Sequence, residues 1–543
     1  MMVKLLLSNH KKFKWQSNNE KNIRGMYFLG NEYFEDEAML VPEMGKNENE
    51  FKNFISKING NYSIIIESKK ELYFAVDRIS SLPLFYCISK NCIYISDSIL
   101  MLRSELSIEE LSNDNVKEFL ATGYVTGERT LFDNIFMLQA GQYAVVEKDN
   151  ANILIHDYFL HNHSEKSSES IQDLVSRLDQ VVLNIFKRAI KSFNNRTVVL
   201  FLSGGYDSRL IAVNLKRLNY TNVICVSFGD ENIKDVKCAK EIAKSLGYPL
   251  LRIKTNKRWF KIFKRTEIFN EAIEKNSYGY AINYPQGLYI YEMIKNGKIP
   301  EDSIVITGNS GDVVEGNDVC MSFKEGEDYD EKQVLEAILK QHYLLQGEKY
   351  QKQKIFESFI KTVIGSKKKY NYIEAQNTFE FFNWRARQAK YVVNDVVNFN
   401  DILGLDWRLP LWDNEFVDFW LSIPLNLRYK RKLYYLYVKE EKLPTANNIN
   451  LNQKMFAKLK RNTPIIIDKA RYIVRLMHFF NSKNVDPLGM FGLVSFFEFK
   501  KIMNYTKGYY TQWRTIYVLY VFRKEYKKYL NKENELLEYI NIL

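Results

Sequence analysis

Residues 197–218 read TVVLFLSGGYDSRLIAVNLKRL, and this stretch sets the architecture of most of the chain. Its first six residues are apolar and β-branched in character, as is typical of a buried parallel strand. The sequence SGGYDS follows at 203–208. Apolar side chains then recur at helical spacing, at Leu210, Ile211, Val213, Leu215 and Leu218. The pattern predicts a strand, a tight glycine turn and a helix.

The predicted turn has the chemistry of a phosphate site. Gly204 and Gly205 let the backbone approach a ligand closely, and the first N–H groups of the helix favour an anion. Ser203 and Ser208 add hydroxyl groups. Asp207 would repel phosphate, so it is explained best as a ligand of Mg²⁺ bridging to phosphate oxygens. The alternative is an ordinary strand-to-helix turn with serine caps; a Walker loop is excluded because Gly-Lys-Ser/Thr is missing.

A second turn of the same kind lies at 307–312, TGNSGD, after a predicted strand at 303–307. Alone, Asp312 would read as an Asx cap. Further strands are predicted at 222–228 and 249–253, alternating with helices, which indicates a parallel sheet covered on both faces. Ligands bind beyond the carboxyl ends of such strands. Asp312 is therefore predicted as a second Mg²⁺ ligand beside Asp207.

Two downstream segments carry further candidates. Asp413 precedes a predicted helix at 415–421 and is expected to be its N-cap. Lys454 lies in an asparagine-rich loop. It is either solvated or folds over a closed site, where it would neutralise charge on transferring phosphate.

Composition bounds the class of protein. The 543 residues suggest roughly two to four domains. The charge of +12 is a mild bias without a compact basic patch, so nucleic acid is not expected as a partner. Five scattered cysteines predict free thiols in a reducing compartment. No apolar run is long enough to span a membrane. The apolar core of the first residues is too short for a signal peptide. A soluble cytoplasmic protein is therefore expected.

The N-terminal part differs from the rest. Residues 1–160 read as mostly β-hairpins, and the polar segment 161–170 is the predicted domain boundary. His161 and His163 within it are interpreted as part of a solvated linker rather than a metal site. From about residue 320 onward the pattern is helical and aromatic-rich, and Trp384, Tyr391, Trp407, Trp412 and Trp420 are expected in the core.

These motifs, in this order, resemble the asparagine synthetase family. SGGYDS and TGNSGD resemble its metal–pyrophosphate motifs, WRLPLWDNEFVDF at 407–419 its R-x-P-F-L-D segment, and Gln453-Lys454 the pair with its loop lysine. Gly60-Asn61-Tyr62-Ser63, the segment 75–84 and the segments at 129–132 and 140–141 look like its glutaminase domain. The fold implied is α/β: an N-terminal Ntn-type αββα sandwich over 1–160, a degenerate glutamine amidotransferase-like domain, and a C-terminal pyrophosphate-loop, adenine nucleotide α-hydrolase-like domain with a helical extension over 161–543.

The resemblance also implies a chemistry and a set of residues. A carboxylate would be activated by ATP as an acyl-adenylate, and a nitrogen nucleophile would then displace AMP. Asp207 and Asp312 would hold Mg²⁺ and Lys454 would be catalytic. The residues expected to bind the nucleotide are Leu202, Ser203, Gly204, Gly205, Asp207, Ser208, Phe228, Thr307 and Gly308.

The sequence departs from the family at three points. The N-terminal nucleophilic Cys is missing, since Met2 follows Met1 and the first cysteine is Cys87. A thioether cannot replace a thiolate, so glutamine hydrolysis is expected to be absent and Asp77, the glutamine-binding position, to have lost its purpose. Asn309 and Val313 replace two acidic residues.

The prediction is an ATP-dependent amide-forming ligase that takes nitrogen from ammonia or a substrate amine, in the manner of β-lactam synthetases and lasso-peptide cyclases. An ammonia-dependent asparagine synthetase, an amidating enzyme for a sugar acid and a non-catalytic ATP-binding pseudo-enzyme are the alternatives. The expected partner is a small-molecule or peptide carboxylate substrate, with no nucleic acid and no membrane; a homodimer stays open.

Overall fold

The structure is a computed structural model. It describes residues 2–440 except 19, 42–43, 46, 150–151, 165–167, 276–278 and 346–353, and beyond them residues 476, 479–480, 486–505 and 512–529. Within these residues, every helix is too short or too polar to cross a membrane.

The N-terminal region is built from two β-sheets. Its strands are β1 Met2–Leu6, β2 Gln16–Ser17, β3 Lys21–Leu29, β4 Glu32–Glu35, β5 Ile58–Glu67, β6 Glu71–Val76, β7 Phe85–Ser89, β8 Cys92–Ser96, β9 Phe136–Met137, β10 Gln142–Glu147 and β11 Asn152–Asp157. One sheet has the order β1-β8-β7-β9, and the other has the order β11-β10-β6-β5-β3-β2 with β4 beside β3. Only β1 and β8 pair in parallel here, with Met2 opposite Cys92.

Period-two alternation fixes how the two sheets pack. Along β6, Leu72, Phe74 and Val76 face the four-stranded sheet β1-β8-β7-β9, whereas Tyr73 and Ala75 face the opposite side. That outer side is covered by α1, Glu48–Lys57, and helices α2, Ile99–Leu106, and α3, Asn113–Thr122, complete the region. The layers are those of the predicted αββα sandwich, which is confirmed.

The C-terminal region contains the predicted parallel sheet. Its strands are β12 Val198–Phe201, β13 Val223–Phe228, β14 Leu250–Ile253, β15 Ile304–Ile306 and β18 Asp406–Arg408, in the order β14-β13-β12-β15-β18. All four pairings are parallel. The fifth strand, β18, was not among the predicted strands; β16 Asp328–Asp330 and β17 Lys369–Asn371 form a separate antiparallel pair.

Helices cover this sheet and form the extension after it. They are α4 Ile171–Lys191, α5 Tyr206–Arg217, α6 Lys234–Leu246, α7 Lys257–Phe263, α8 Glu267–Lys275, α9 Tyr291–Lys295, α10 Gly311–Val314, α11 Glu331–His342, α12 Lys354–Ile364, α13 Tyr372–Phe382, α14 Asn394–Leu403, α15 Asn414–Leu421, α16 Leu425–Arg428, α17 Lys432–Glu440, α18 Phe496–Tyr505 and α19 Gln512–Glu525. A π-helix, Asn383–Val393, joins α13 to α14. The five aromatic residues predicted as core are buried.

The interpretation of His161 and His163 as a solvated linker is wrong. Both side chains are buried, each in a residue that is only 6% exposed. The His163 ring lies 2.6 Å from the Glu380 carboxylate, and the His161 ring stacks on Trp384 with centroids 5.7 Å apart. These partners come from more than two hundred residues away, so local polarity gave no sign of them. The domain boundary itself stays a prediction.

The π-helix provides several of the contacts between the two regions. The Lys390 ammonium donates to the carbonyl oxygens of Gly127, at 2.8 Å, and Arg129, at 2.7 Å. Arg385 forms a 2.6 Å salt bridge with Asp157. π-helices are rare in proteins, and those that occur are often found at functional sites. The position of this one between the two regions is therefore relevant to function.

Candidate functional site

The first predicted turn follows the central strand β12 as expected. Gly205 precedes α5 with extended backbone, and its N–H donates to the Ser203 hydroxyl at 3.1 Å. The Ser203 N–H donates to the Ser208 hydroxyl, also at 3.1 Å. Ser208 is buried, whereas Ser203 and Gly205 are exposed. The two serine hydroxyls therefore stabilise the loop by hydrogen bonds, and the exposed residues Ser203 and Gly205 remain accessible to a ligand.

The second predicted turn packs directly on the first. A side chain at Gly308 would place its Cβ 2.8 Å from the Ser208 backbone nitrogen, so only glycine fits there. The Asp312 N–H donates to the Asp207 carboxylate, Oδ2, at 3.1 Å. The structure thus brings the two aspartates together at the carboxyl ends of neighbouring strands β12 and β15.

An arginine that the sequence did not single out lies between the acidic groups. Arg431 donates to the Asp207 carboxylate and to the Glu315 carboxylate, and the Glu315 side chain is fully buried. Both Lys430 and Arg431 have left-handed backbone, with φ of 53° and 59°. Such backbone is uncommon for non-glycine residues and often marks functional sites. The sequence signal for Arg431 is its position in the basic run RYKRK, and such runs are usually solvated.

Burial and charge act against each other at these carboxylates. Burial raises the pKa of Asp207, the Arg431 guanidinium lowers it, and the Asp312 carboxylate raises it again. Burial also raises the pKa of Glu315 well above its usual value, with Arg431 again opposing. One guanidinium thus compensates a buried carboxylate, Glu315, and a partly buried one, Asp207, so a further cation would be favoured here.

The residues at this site fit a Mg²⁺ ion that takes its other ligands from water and from a substrate phosphate. Among the described residues, no cluster of three or more His, Cys, Asp or Glu side chains is arranged to hold a metal ion by itself. Mg²⁺ usually takes one or two carboxylates and completes its shell with water and substrate phosphate. Asp207 and Asp312 beside an open phosphate-type loop match that requirement. Asn317 orients Asp312 by donating to Oδ2 at 3.2 Å.

The other predicted nucleotide residues surround the same strand ends. Phe228, at the end of β13, is half-buried and meets Phe201 edge-on with ring centroids 5.1 Å apart. Thr307 is buried, and its hydroxyl has no hydrogen-bond partner among the described residues. Leu202 is buried next to the loop. A buried hydroxyl without a partner is unusual and suits a ligand contact.

Comparison with known proteins decides the family. Residues 182–443 match the family model described as asparagine synthase, and residues 43–159 match the one described as a glutamine amidotransferase domain. Residues 182–443 belong to the asparagine synthetase family. The fold predicted from the resemblance, an Ntn-type sandwich joined to a pyrophosphate-loop domain, is thereby confirmed together with the two sheets.

The chain is similar in sequence to two curated proteins. It is 25% identical over 234 residues to a probable glutamine-hydrolysing asparagine synthetase of Acanthamoeba polyphaga mimivirus, covering 42% of this chain. It is 24% identical over 228 residues, 41% of this chain, to the Microcin J25-processing protein McjC of Escherichia coli. In both cases the match spans 40% of the relative's length. A solved B. subtilis glutamine phosphoribosylpyrophosphate amidotransferase aligns with 54% of this chain and 62% of its own, at 11% identity and a TM-score of 0.19, too low to bear on the fold.

The departures from the asparagine synthetase family can be placed in part. Lys454, the predicted catalytic lysine, and Gln453 lie outside the described residues. Asn309 and Val313 are half-buried on either side of the Ser310–Asp312 turn. The Ser310 hydroxyl donates to Gln388 of the π-helix at 2.8 Å, which ties this turn to the region between the two domains.

Asp77 has a structural use in this chain. Its carboxylate accepts the N–H groups of Tyr62 at 3.1 Å and Ile79 at 2.8 Å, and also the N–H and hydroxyl of Ser81. Burial raises its pKa to about 6 against these hydrogen bonds. The expectation that Asp77 lost its purpose therefore needs correction: it holds the turn after β6.

The R-x-P segment also joins two elements. Asp413 is the N-cap of α15, as predicted, and accepts the Glu415 N–H at 2.9 Å. Arg188 of α4 donates to both carboxylate oxygens of Asp413, at 3.0 and 2.8 Å. This fork fixes α4, which leads into β12, against the segment that follows β18.

Proposed function

We propose that the protein is an ATP-dependent amide-forming ligase that activates a carboxylate as an acyl-adenylate. The observation that carries the proposal is the contact between Asp207 and Asp312 on two turns that follow neighbouring strands. A phosphate-type loop lies beside them, with Ser203 and Gly205 exposed. Paired carboxylates next to an anion site suit a phosphate substrate that arrives with Mg²⁺.

The residues have separable tasks in this reaction. Asp207 and Asp312 would hold Mg²⁺, which supplies positive charge to the phosphates when bound. The backbone of the 203–208 loop would bind the β- and γ-phosphates, while Leu202, Phe228, Thr307 and Gly308 would surround AMP. Arg431 orients Asp207 through its second carboxylate partner, Glu315.

The chemistry balances in two steps. An oxygen of the substrate carboxylate attacks the α-phosphorus, the bond to the β-phosphate oxygen breaks, and pyrophosphate leaves. An amine nitrogen then attacks the acyl carbon, the bond to AMP breaks, and the nitrogen loses a proton as the amide forms. Lys454 would neutralise phosphate charge in the first step.

Glutamine is not proposed as the nitrogen source. No cysteine precedes Cys87, and all five cysteines are free and buried. Burial raises the pKa of the Cys87 thiol, which disfavours a nucleophilic thiolate. The Asp77 carboxylate is already engaged by Tyr62 of β5 and by Ile79 and Ser81 of its own turn. Ammonia or an amine on the substrate is the source that fits these facts, and the substrate amine would make the enzyme a cyclase for a peptide or small natural product.

Two alternatives have specific support. Similarity to an asparagine synthetase favours an ammonia-dependent enzyme of that type. Asn309 and Val313 favour a non-catalytic ATP-binding protein, and Arg431 strengthens that alternative, because it gives Asp207 a partner without a metal.

Pyrophosphate release from ATP tests the proposal. The assay uses Mg²⁺ with aspartate, with and without ammonium, and then with candidate peptide and sugar acids. Release that depends on one of these acids supports a ligase, and asparagine formation would identify the ammonia-dependent alternative. Asp207→Asn should abolish release, while Asp302→Asn, an exposed aspartate at the opposite end of β15, should not. ATP binding without release for any acid would favour the non-catalytic alternative.

A further inference from the structure

Outside the two acidic turns, two aromatic rings are exposed to solvent on one surface. Phe480 is 69% exposed and Phe497, in the first turn of α18, is 75% exposed. Both rings contact Phe496, with ring centroids 5.0 Å and 6.1 Å away. Phe480, Phe496 and Phe497 are called the aromatic ledge below. Exposed aromatic clusters of this kind mark binding surfaces more often than isolated apolar residues do.

Lysines border the ledge on two sides. Lys257 of α7 lies over the Phe480 ring, 5.6 Å from its centroid; Lys261 follows on the same helix and Lys264 is its C-cap. Lys500 and Lys501 are placed three and four residues after Phe497 on α18, so they share its helix surface. None of these five lysines forms a salt bridge with a carboxylate of the described residues.

Two acidic side chains, Glu498 and Asp486, lie in this neighbourhood, and Asp486 raises the pKa of Lys257. Glu498 accepts the Ser495 N–H at 2.6 Å and raises the pKa of Lys264. Burial and the nearby Lys261 ammonium act more strongly and lower the pKa of Lys264; they lower that of Lys257 as well. Positive charge therefore dominates around the ledge.

The ledge adjoins the edge of the sheet where the candidate site lies. A cavity of about 260 Å³ opens at the ends of β13 and β14 and is lined by Asp230, Thr255, Asn256 and Pro487, among others. Helix α7 begins directly after Asn256, and the Thr255 hydroxyl donates to the Pro487 carbonyl at 2.6 Å. The Lys257 ammonium donates to the Phe479 carbonyl at 2.9 Å. Thr255 and Asn256 thus line the cavity, and the next residue, Lys257, contacts the ledge.

We propose that the aromatic ledge and its five flanking lysines are the docking surface for an acidic polypeptide segment that carries apolar side chains. The rings would bury the apolar side chains of such a segment, and the lysines would pair with its carboxylates. A polypeptide fits better than a lipid surface, because the ledge is small and is continuous with a cavity at the sheet edge. That this segment belongs to the substrate of the ligase rests on the proposed function; the docking surface does not.

Binding to the full chain without ATP tests the surface alone. The probe is a short fluorescent synthetic peptide in which glutamates are interspersed with leucines and phenylalanines, followed by fluorescence anisotropy. Phe497→Ser and the double change Lys500→Glu with Lys501→Glu should each weaken binding about tenfold or more. The matched controls are Ile88→Ser, a half-exposed apolar residue on β7, and Lys240→Glu on α6; neither should change binding.

Two altered peptides and lipid vesicles test which chemical groups the surface recognises. A peptide with lysine in place of glutamate, and one with serine in place of the apolar residues, should both bind at least about tenfold more weakly than the first peptide. Equal binding by the ledge variants and the unchanged protein would overturn the proposal. So would binding to phosphatidylserine vesicles without binding to the peptide. Docking that is lost in the variants, in a protein that releases no pyrophosphate with any acid, would uphold the surface and refute the ligase.

Discussion

Arg431→Met is the substitution that tests the electrostatics of the candidate site most directly. Arg431 donates to Asp207 and to Glu315, and the side chains of Arg431 and Glu315 are 8% and 0% exposed. Methionine keeps much of the side-chain volume but leaves both carboxylates without a countercharge. Removing one partner of a buried ion pair costs about 3–5 kcal/mol, so we expect a loss of that size near neutral pH.

The pH dependence of this loss has a definite sign. Burial already raises the pKa of Glu315 well above 4.5 in the folded protein, and losing Arg431 raises it further. Between the unfolded and folded pKa values the folded state binds the extra proton, so stability falls as pH rises, by about 1.4 kcal/mol per pH unit for one group. Arg431→Met should therefore be less harmful at about pH 6 than at about pH 8.

Urea unfolding followed by tryptophan fluorescence measures both effects. Adding Glu315→Gln to Arg431→Met should recover about 1–3 kcal/mol and flatten the pH dependence, because the uncompensated buried charge is removed. Arg258→Met, at an exposed arginine on α7, is the control and should change stability by less than about 0.5 kcal/mol. A loss below about 1 kcal/mol for Arg431→Met, or no recovery in the double variant, would refute the assignment of Arg431 as the shared countercharge.

Three more predictions concern the surroundings of the site. Gly308→Ala should abolish ATP binding measured by calorimetry, because its Cβ would lie 2.8 Å from the backbone nitrogen of Ser208; unchanged affinity would show that the turns separate easily. Arg188→Met should lower the free energy of unfolding in urea by about 1.5–3 kcal/mol, since it removes two charge-assisted bonds to Asp413 and one to Glu415; a neutral result would mean that these bonds are not formed in solution. Burial lowers the pKa of Lys390 to about 7, so wild-type stability should rise between about pH 7 and pH 10, where the unfolded state binds the extra proton; Lys390→Met should remove that rise, and an unchanged profile would contradict it.

The strand–turn–helix units could be predicted because each is encoded locally. An apolar β-rich run, a glycine pair and helical periodicity stand within 22 consecutive residues at 197–218. The same logic found Asp312, and the rule that ligands bind at the carboxyl ends of parallel strands placed it near Asp207. The contact between the two turns confirms that placement. Their roles toward Mg²⁺ and ATP remain predictions.

What could not be predicted depends on partners distant in sequence. Arg431 lies 224 residues after Asp207, and nothing in its own neighbourhood separates it from a solvated lysine-arginine run. β18 is a strand of three residues, too short for a periodic signal, and it forms only by adding to the edge of β15. His161 and His163 stand in a polar segment but are buried because Glu380 and Trp384 come to meet them.

The junction between the two regions gives the N-terminal domain a use that needs no glutamine chemistry. The π-helix contacts the acidic turn through Gln388 and Ser310, and only two residues later Lys390 donates to two carbonyl oxygens of the N-terminal domain. A buried lysine amine without those carbonyls would lose both partners, at a cost of about 1–3 kcal/mol for each unsatisfied group. The π-helix, which accepts a hydrogen bond from the Ser310 hydroxyl, is therefore expected to gain part of its stability from the N-terminal domain. This dependence involves no glutamine chemistry, so it gives the domain a physical reason to persist if, as proposed, the enzyme takes its nitrogen from ammonia or a substrate amine.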